Sequence, residues 1–479
     1  MFALEVCEME KLLGVNRDDQ KTQKARLMAL KNRRCLFITA PCISGMSKQM
    51  KNSIQWIVDQ GVIITAVFHS EEDGLFKIFN EGNLMEDYVV ADLKCQRADI
   101  SVLEALGERI FDGVFSPYEP AIVLAGEIAE ALKVSTNPGS AYKIARSKNM
   151  SRESTRQAGL ATPRSGVCKT PADVERVVTH VGFPCIMKPS SGAGSCGVLR
   201  ADSLEQSVVA FEKIQKDLKE TAWLQWSPGC EETTVLVEQC LIGDEFDIDM
   251  LMWEGECVYQ QCVDNWPCIA PFYLETGSQM PSLYPDDKLQ VLKKYATDCV
   301  KAMGFRTGCF HVEAMYTTEG PVLIEINARQ GGGPNQVFNI EMCGVDIFAN
   351  FFMAMMNIPI NPPRHEPSFA MADYAITSPF SGVLVDDKHA DHIRAHPDTY
   401  SVRDDTPVGS KVQGLDQGFP QWLTQFVIRA PDKHQAKELV ESLVRGIETK
   451  INIKPAVEAE NKEIPNMEPE GELAIETCN

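Results

Sequence analysis

Apolar residues along the chain gather into short runs separated by glycine, proline and polar breaks, and the early runs alternate in character. Cys35–Ala40 (CLFITA) reads as a strand, and Val62–Phe68 as a second. Between them Pro41, Ser44 and Gly45 make a turn, and Ser47–Gln60 has helical character. Gly113–Ser116 is a short strand and Ala121–Leu132 an alanine-rich helix. Strands alternating with helices predict a parallel sheet, whose ligand-binding edge lies beyond the strand C-termini. Glu119 follows the Gly113–Ser116 strand and so falls at that edge. The charged stretch before Cys35 reads as a leader over residues 1–34, with a surface helix.

The pattern then changes. Ser147–Gly159 is polar and helical, ended by Leu160–Pro163. Strands are predicted at Pro184–Lys188, around Val198–Arg200 and at Thr233–Cys240, with a helix around Ser207–Lys219. Asp247–Met252 and Cys257–Cys262 are expected to continue the same sheet. A helix at Leu289–Met303 precedes two strands, Cys309–Tyr316 and Pro321–Ile326, joined by a Thr-Glu-Gly turn. From about Pro362 to Ile453 the pattern is mixed, with a helix around Lys433–Thr449. The tail from Lys454 is rich in Glu and Pro and poor in aromatics, and is expected to be disordered.

Composition narrows the function. With 479 residues the chain is long enough for about three domains. Its net charge of -21 disfavours nucleic acid and anionic membranes as partners. The sixteen cysteines are scattered through apparent strands and helices, with no dense framework and no zinc-finger spacing. The N-terminal residues lack a signal-peptide pattern, and free thiols in a reducing cytoplasm are expected. No apolar run is long enough to cross a bilayer.

Three stretches carry candidate chemistry. Lys188 ends a strand and opens the Gly/Ser-rich loop Ser190–Val198, where small residues let backbone N–H groups approach phosphate oxygens. The glycines follow the lysine, so this is not the familiar phosphate loop, and a plain hairpin is an equal reading of this stretch alone. The second stretch pairs Glu313 with Glu325-Ile-Asn327-Ala-Arg329, followed by three glycines, Gly331, Gly332 and Gly333. Residues two apart on a strand share a face, so Glu325, Asn327 and Arg329 project together, with Glu313 and His311 on the partner strand. Three oxygen donors on one face suit Mg²⁺, which takes its remaining ligands from water and phosphate. The neighbours Val322, Leu323, Ile324 and Ile326 are too apolar for a merely solvated charged hairpin. The third stretch, Val237-Glu238-Gln239-Cys240-Leu241 followed by Gly243-Asp244-Glu245, is a strand end that can present backbone groups to a base and an acid to a ribose; many strand ends look alike.

In this order the three stretches resemble the ATP-grasp superfamily, from about Cys35 to Ile453. The resemblance implies an α/β (α+β) ATP-grasp fold. It has a Rossmann-like pre-ATP-grasp domain over residues 35–145 and an ATP-grasp domain over 146–360 with a lid subdomain at about 165–240. A mixed α/β domain over 361–453 and an acidic tail over 454–479 complete it. It implies that Lys148 and Lys188 bind ATP phosphates and that Ser191, Gly192, Ser195, Gly197 and Val198 belong to the lid over them. Glu238, Gln239 and Leu241 would contact adenine, Glu245 the ribose, and Glu313, Glu325 and Asn327 two Mg²⁺ ions, with Mn²⁺ as an alternative. The sequences His311-Val-Glu313 and Glu325-Ile-Asn-Ala-Arg329, with the loop from Glu275, are most similar to L-amino-acid ligases and animal carnosine synthases. They imply Glu119, Glu275, Arg329 and Gly332 as substrate contacts, and Arg329 and His311 as catalytic residues. Some L-amino-acid ligases place a bulky aromatic just beyond the Arg, where this chain has glycines.

The implied reaction is that of a cytoplasmic acid–amino-acid ligase. A carboxylate is activated as an acyl-phosphate and joined to an amine, releasing ADP and phosphate. The partners are small amino-acid or carboxylate and amine substrates, with a homodimer as one option for assembly. The alternatives are a purine-pathway or biotin-carboxylase-like member of the superfamily, or a non-catalytic ATP-binding protein.

Overall fold

The computed structural model describes residues 20–134, 136–192, 195, 197–220, 234–416 and 420–455. The first part of the expected leader, most of the expected acidic tail, and Ala193, Gly194 and Cys196 of the glycine-rich loop lie outside them.

The first layer is a parallel sheet of β1 (Arg34–Ile38), β2 (Ile63–Phe68), β3 (Asp87–Val90) and β4 (Gly113–Phe115), in the order β3-β2-β1-β4. The strands β1, β2 and β4 are buried nearly throughout because helices cover them, whereas β3 at the edge is mostly exposed. The helix Lys48–Asp59 shows why one forms there. Ser47 caps it by accepting a 3.1 Å hydrogen bond from the Met50 N–H, and Ile54 and Ile57 are buried. The helix Gln20–Leu30 departs from the expected surface leader. Leu30 lies in the core, and Arg26 is buried with its guanidinium donating to the Asn361 carbonyl at 2.9 Å.

The second layer is a small antiparallel sheet in the order β5-β8-β6-β7, built from β5 (Ser165–Cys168), β6 (Cys185–Pro189), β7 (Leu199–Ala201) and β8 (Val235–Gln239). It has its own core, in which Val174, Val177, Val178 and Val181 of one helix meet Phe211 and Ile214 of another.

The largest layer is an eight-stranded antiparallel sheet ordered β13-β12-β9-β10-β11-β14-β18-β16. Its earlier members are β9 (Gly243–Trp253), β10 (Glu256–Asn265), β11 (Gly277–Met280), β12 (Gly308–Thr317), β13 (Gly320–Asn327) and β14 (Ala370–Thr377). The last part of the chain adds β15 (Gly382–Leu384), β16 (Thr399–Asp404), β17 (Lys411–Val412), β18 (Trp422–Ala430) and β19 (Ile453–Lys454). Two sequence expectations are corrected here. β9 and β10 do not continue the sheet of β6 and β8; they form the middle of the large one. The strands β14, β18 and β16 extend that sheet too, and only β15, β17 and β19 stand apart as a three-stranded sheet.

The parallel layer is clamped to the large sheet by aromatic packing. Phe115 of β4 meets Phe348, Phe351 and Phe352 with ring centroids 5.5, 5.0 and 5.1 Å away. Each such pair contributes about 0.5–1.5 kcal/mol beyond its buried area. All nine residues of their helix, Ile347–Met355, are buried. This clamp fixes the chain just after β4, where Glu119 lies. Among the described residues no single helix is long and apolar enough to cross a membrane.

Candidate functional site

A cavity of about 210 Å³ lies between the small sheet and the large one. Two lysines enter it from one end. Lys188 closes β6 and donates to Glu238 Oε2 at 2.7 Å, while Arg152 Nε meets Glu238 Oε1 at 2.5 Å. Burial alone would push the Glu238 carboxyl up, but Arg152 and Lys188 outweigh it and hold it down at about 2. Burial also lowers the Lys188 ammonium, with Glu238 partly offsetting that. Both carboxylate oxygens of Glu238 are therefore engaged by cations. Glu238, Gln239, Cys240 and Leu241 all line the cavity.

Lys148 is the first residue of a helix capped by Ser147, and its backbone N–H donates to the Ser190 carbonyl at 2.9 Å. Its ammonium lies 2.5 Å from Glu325 Oε2 and 3.2 Å from the Gly192 carbonyl. Gly192, Ser195 and Val198 line the cavity, whereas Ser191, which is buried, and Gly197 do not appear in its wall.

The floor is a row of acids that register alone brings together. Glu325 on β13 faces Glu313 on β12, which faces Asp247 on β9; one step along, Asn327 faces His311, which faces Asp249. A bulge after Glu313 leaves Ile324 unpaired on β13, and its carbonyl accepts a 2.5 Å hydrogen bond from Arg152. Asn327 donates to Glu325 Oε1 at 2.9 Å and lies just behind the cavity wall. His311 Nδ1 is 2.8 Å from Asp249 Oδ1, and its Nε2 is 3.6 Å from Asp247 and 3.7 Å from Glu313. Burial opposes the imidazolium, but Asp247 and Asp249 prevail and raise its pKa to about 9.

The acids strain against one another. Burial, then Glu325 and Asp247, drive the Glu313 carboxyl well above the usual range. Burial, then Asp247 and Glu325, bring Glu245 to about 7, and burial, then Asp247 and Glu245, bring Glu275 to about 8. Glu325 goes the other way: burial would raise it, but Lys148 holds it low. Among the described residues no three His, Cys, Asp or Glu side chains are gathered as a finished metal cage. An open row of carboxylates repelling one another at the mouth of a cavity nonetheless fits divalent cations that take their other ligands from phosphate. Glu313, Glu325 and Asn327 would hold them, with Asp247 beside them.

Arg329 is 6% exposed and lines the cavity; its Nε lies 3.0 Å from Glu119, and Nη1 donates to the Gln330 carbonyl at 2.7 Å. Glu119 is not part of the cavity wall and reaches over from the parallel layer to pair with Arg329. Gly332 and Glu275 do line the cavity. A Cβ at Gly331 would sit 2.6 Å from both His311 Nδ1 and Asn335 Nδ2. That crowding excludes any side chain directly beyond Gln330 without a shift of the His311–Asp249 pair.

Residues that sequence reading missed are Arg152, Asp247, Asp249 and Asp373. All but Asp249 line the cavity, and Asp249 acts through His311. For two of them the signal was present, since Glu245, Asp247 and Asp249 alternate with the buried Phe246, Ile248 and Met250.

Comparison with known proteins agrees with this geometry. Residues 181–336 match the family described as the ATP-grasp domain. The chain is 28% identical to human carnosine synthase 1 over 302 residues, covering 59% of this chain and 36% of that protein. It is 27% identical to dapdiamide A synthase of Enterobacter agglomerans over 254 residues, 51% of this chain and 56% of that one. The chain thus spans about a third of the carnosine synthase it matches and just over half of the dapdiamide synthase. The crystal structure of an L-amino acid ligase from Bacillus licheniformis superposes with a TM-score of 0.71 at 21% identity, covering 89% of this chain and all of that one. The chain carries an ATP-grasp domain and is related to ATP-grasp carboxylate–amine ligases.

Proposed function

We propose that this ATP-grasp chain is an ATP- and Mg²⁺-dependent ligase that activates a carboxylate as an acyl-phosphate and joins it to an amine, forming a dipeptide or amino-acid amide. The observation that carries the reading is the convergence of Lys148, Lys188, the Glu313–Glu325 pair and Arg329 on one cavity. The names of the carnosine and dapdiamide synthases to which the chain is similar favour an amide-forming member over a carboxylase.

The roles follow from position. Lys148 and Lys188 bind the ATP phosphates from two sides as point charges. The edge at Gln239–Leu241 takes the adenine and Glu245 the ribose. Glu313, Glu325 and Asn327 would hold Mg²⁺, which would supply neutralisation of phosphate charge, and the γ-phosphoryl group passes to the substrate carboxylate between the two lysines. The amine then attacks the acyl carbon to give a tetrahedral oxyanion, and collapse of that oxyanion breaks the C–O bond and expels phosphate, which carries off the proton the amine gives up. Arg329, braced by Glu119, donates to that oxygen through its forked guanidinium, with backbone N–H groups near Gly332 beside it. Asp249 fixes the His311 ring, which presents Nε2 toward Asp247 and Glu313 and steadies that charged wall. Closure of the Ser190–Val198 loop excludes the water that would hydrolyse the acyl-phosphate.

The test is ATP turnover over mixtures of amino acids, read as ADP and phosphate together with product mass. ADP and phosphate released in equal amounts with a new amide are expected. AMP and pyrophosphate would show adenylate chemistry and overturn the mechanism.

A further inference from the structure

The acidic face of the large sheet does not stop at the metal-facing row. Asn265 at the end of β10 donates to Asp247 Oδ1 at 2.8 Å, and its strand partner is Ser278 on β11. Ser278 in turn is the partner of Asp373 on β14. A single polar stripe therefore crosses six strands, from Glu325 through Glu313, Asp247, Asn265 and Ser278 to Asp373. Asp373 is 7% exposed and lines the cavity. Its Oδ1 accepts from the Ser278 N–H at 2.8 Å and from the Ser278 hydroxyl at 2.5 Å, which fixes the carboxylate in place. Glu275 stands beside it on the cavity wall.

Charge balance separates the two ends of the stripe. Lys148 meets Glu325 directly, and two divalent ions would neutralise Glu325, Glu313 and Asp247. Among the described residues Glu275 and Asp373 have no lysine or arginine within ion-pair distance, Glu275 is attracted by His311, and buried carboxylates short of counter-charge are costly. Asp373 lies three strand spacings from Asp247, about 14 Å of backbone separation. An ammonium on the carbon next to the reacting carboxyl would sit beside the metals and fall short of it. A cation that reaches Asp373 stands several bonds away from the reacting carboxyl or amine.

We propose that Asp373, held by Ser278 and assisted by Glu275, is a specificity residue that binds a distal positive charge, so that one substrate is an amino acid with a cationic side chain or ω-amino group. This rests on the ligase reading above and adds a substrate class to it.

The experiment compares near-isosteric charged and neutral amino acids, lysine with norleucine and arginine with citrulline, each supplied with a mixture of neutral amino acids. ADP release gives kcat/KM for each. The wild type is expected to prefer the charged member of a pair by about tenfold or more, the worth of a charge-assisted contact, and Asp373→Asn is expected to collapse that ratio. Ser278→Ala, which frees the carboxylate without removing it, is expected to reduce the ratio in part and covers the case where Asp373→Asn does not fold. No preference in the wild type, or a ratio unchanged in both variants, overturns the proposal and leaves the ligase reading standing. Absence of any amino-acid-dependent ATP cleavage overturns the ligase reading instead. Calorimetry of lysine against norleucine on the protein loaded with Mg²⁺ and ADP then decides the proposal separately. Lysine binding that Asp373→Asn abolishes upholds it, and no difference between the two ligands overturns it.

Discussion

Two groups of buried charge face each other across the cavity, and they are built on opposite plans. Under the small sheet, Glu238 is gripped by Lys188 and Arg152, with every carboxylate oxygen matched to a cation. On the large sheet, Glu313, Glu245 and Glu275 stand close to Asp247, and burial together with this repulsion pushes the pKa values of the three glutamates up. The first arrangement is complete in itself and locks the helix of Lys148 to the strands behind it. The second is left unbalanced, and its balance must come from bound cations. A balanced buried cluster marks architecture, and an unbalanced one marks a place where something binds.

The comparison breaks most visibly at the unbalanced side. Glu325→Gln is expected to cut turnover by orders of magnitude while far-ultraviolet circular dichroism stays unchanged, since the proposed role of the residue is toward metal and phosphate and not in the core. Wild-type turnover at millimolar Mg²⁺ would show that the acid row is not a metal site. Arg329→Ala is expected to keep ATP affinity but form little amide product, a loss of about 10²–10³-fold for one removed oxyanion donor. Equal loss of ATP binding would place the guanidinium on the nucleotide instead.

On the balanced side the expected damage is to stability. Arg152→Met leaves Glu238 facing Lys188 alone and also orphans the Ile324 carbonyl. Breaking a buried pair in this way costs about 3–5 kcal/mol. Chemical denaturation should show that loss, and a shift under about 1 kcal/mol would mean that the cluster is not structural.

The difference between the two groups also governs what the sequence made legible. The β12–β13 hairpin could be read because both strands and their turn are contiguous, so alternation places Glu313, Glu325, Asn327 and Arg329 on one face without knowledge of the rest. Arg152 could not, because it sits in a polar helix whose partner, Glu238, lies 86 residues away. The engagement of Glu238 by Arg152 and Lys188 was not legible for the same reason, since those cations come from other elements. Glu119 was placed at the edge of the parallel sheet, but its pairing with Arg329 was not legible, because the Phe115 clamp that carries it there is a contact between layers. Asp373 was invisible from local pattern, as nothing near it says that β14 joins β11. Asp247 and Asp249 were legible by alternation along β9 and were passed over.

The smallest expected effect sharpens the comparison most directly, because it counts charge. Without metal, burial and mutual repulsion bring Glu245 to about 7 and Glu275 to about 8, and lift Glu313 well above its usual range. Near pH 7 this group therefore holds protons that ordinary carboxylates would have lost. A cation binds only the deprotonated forms, so loading Mg²⁺ and ATP must expel them. The sign follows: affinity for the Mg²⁺–ATP pair rises as pH increases from about 6 to 8 and levels off above the highest of these pKa values. Glu238, held at about 2 by Arg152 and Lys188, contributes nothing to this change, since it is ionised throughout. Calorimetry of Mg²⁺–ATP binding at pH 7 in two buffers of different ionisation enthalpy measures the protons released. About one proton or more per site is expected, reduced in Glu313→Gln. A release of zero would mean that the acids are already ionised without metal, and the contrast between the two clusters would fall.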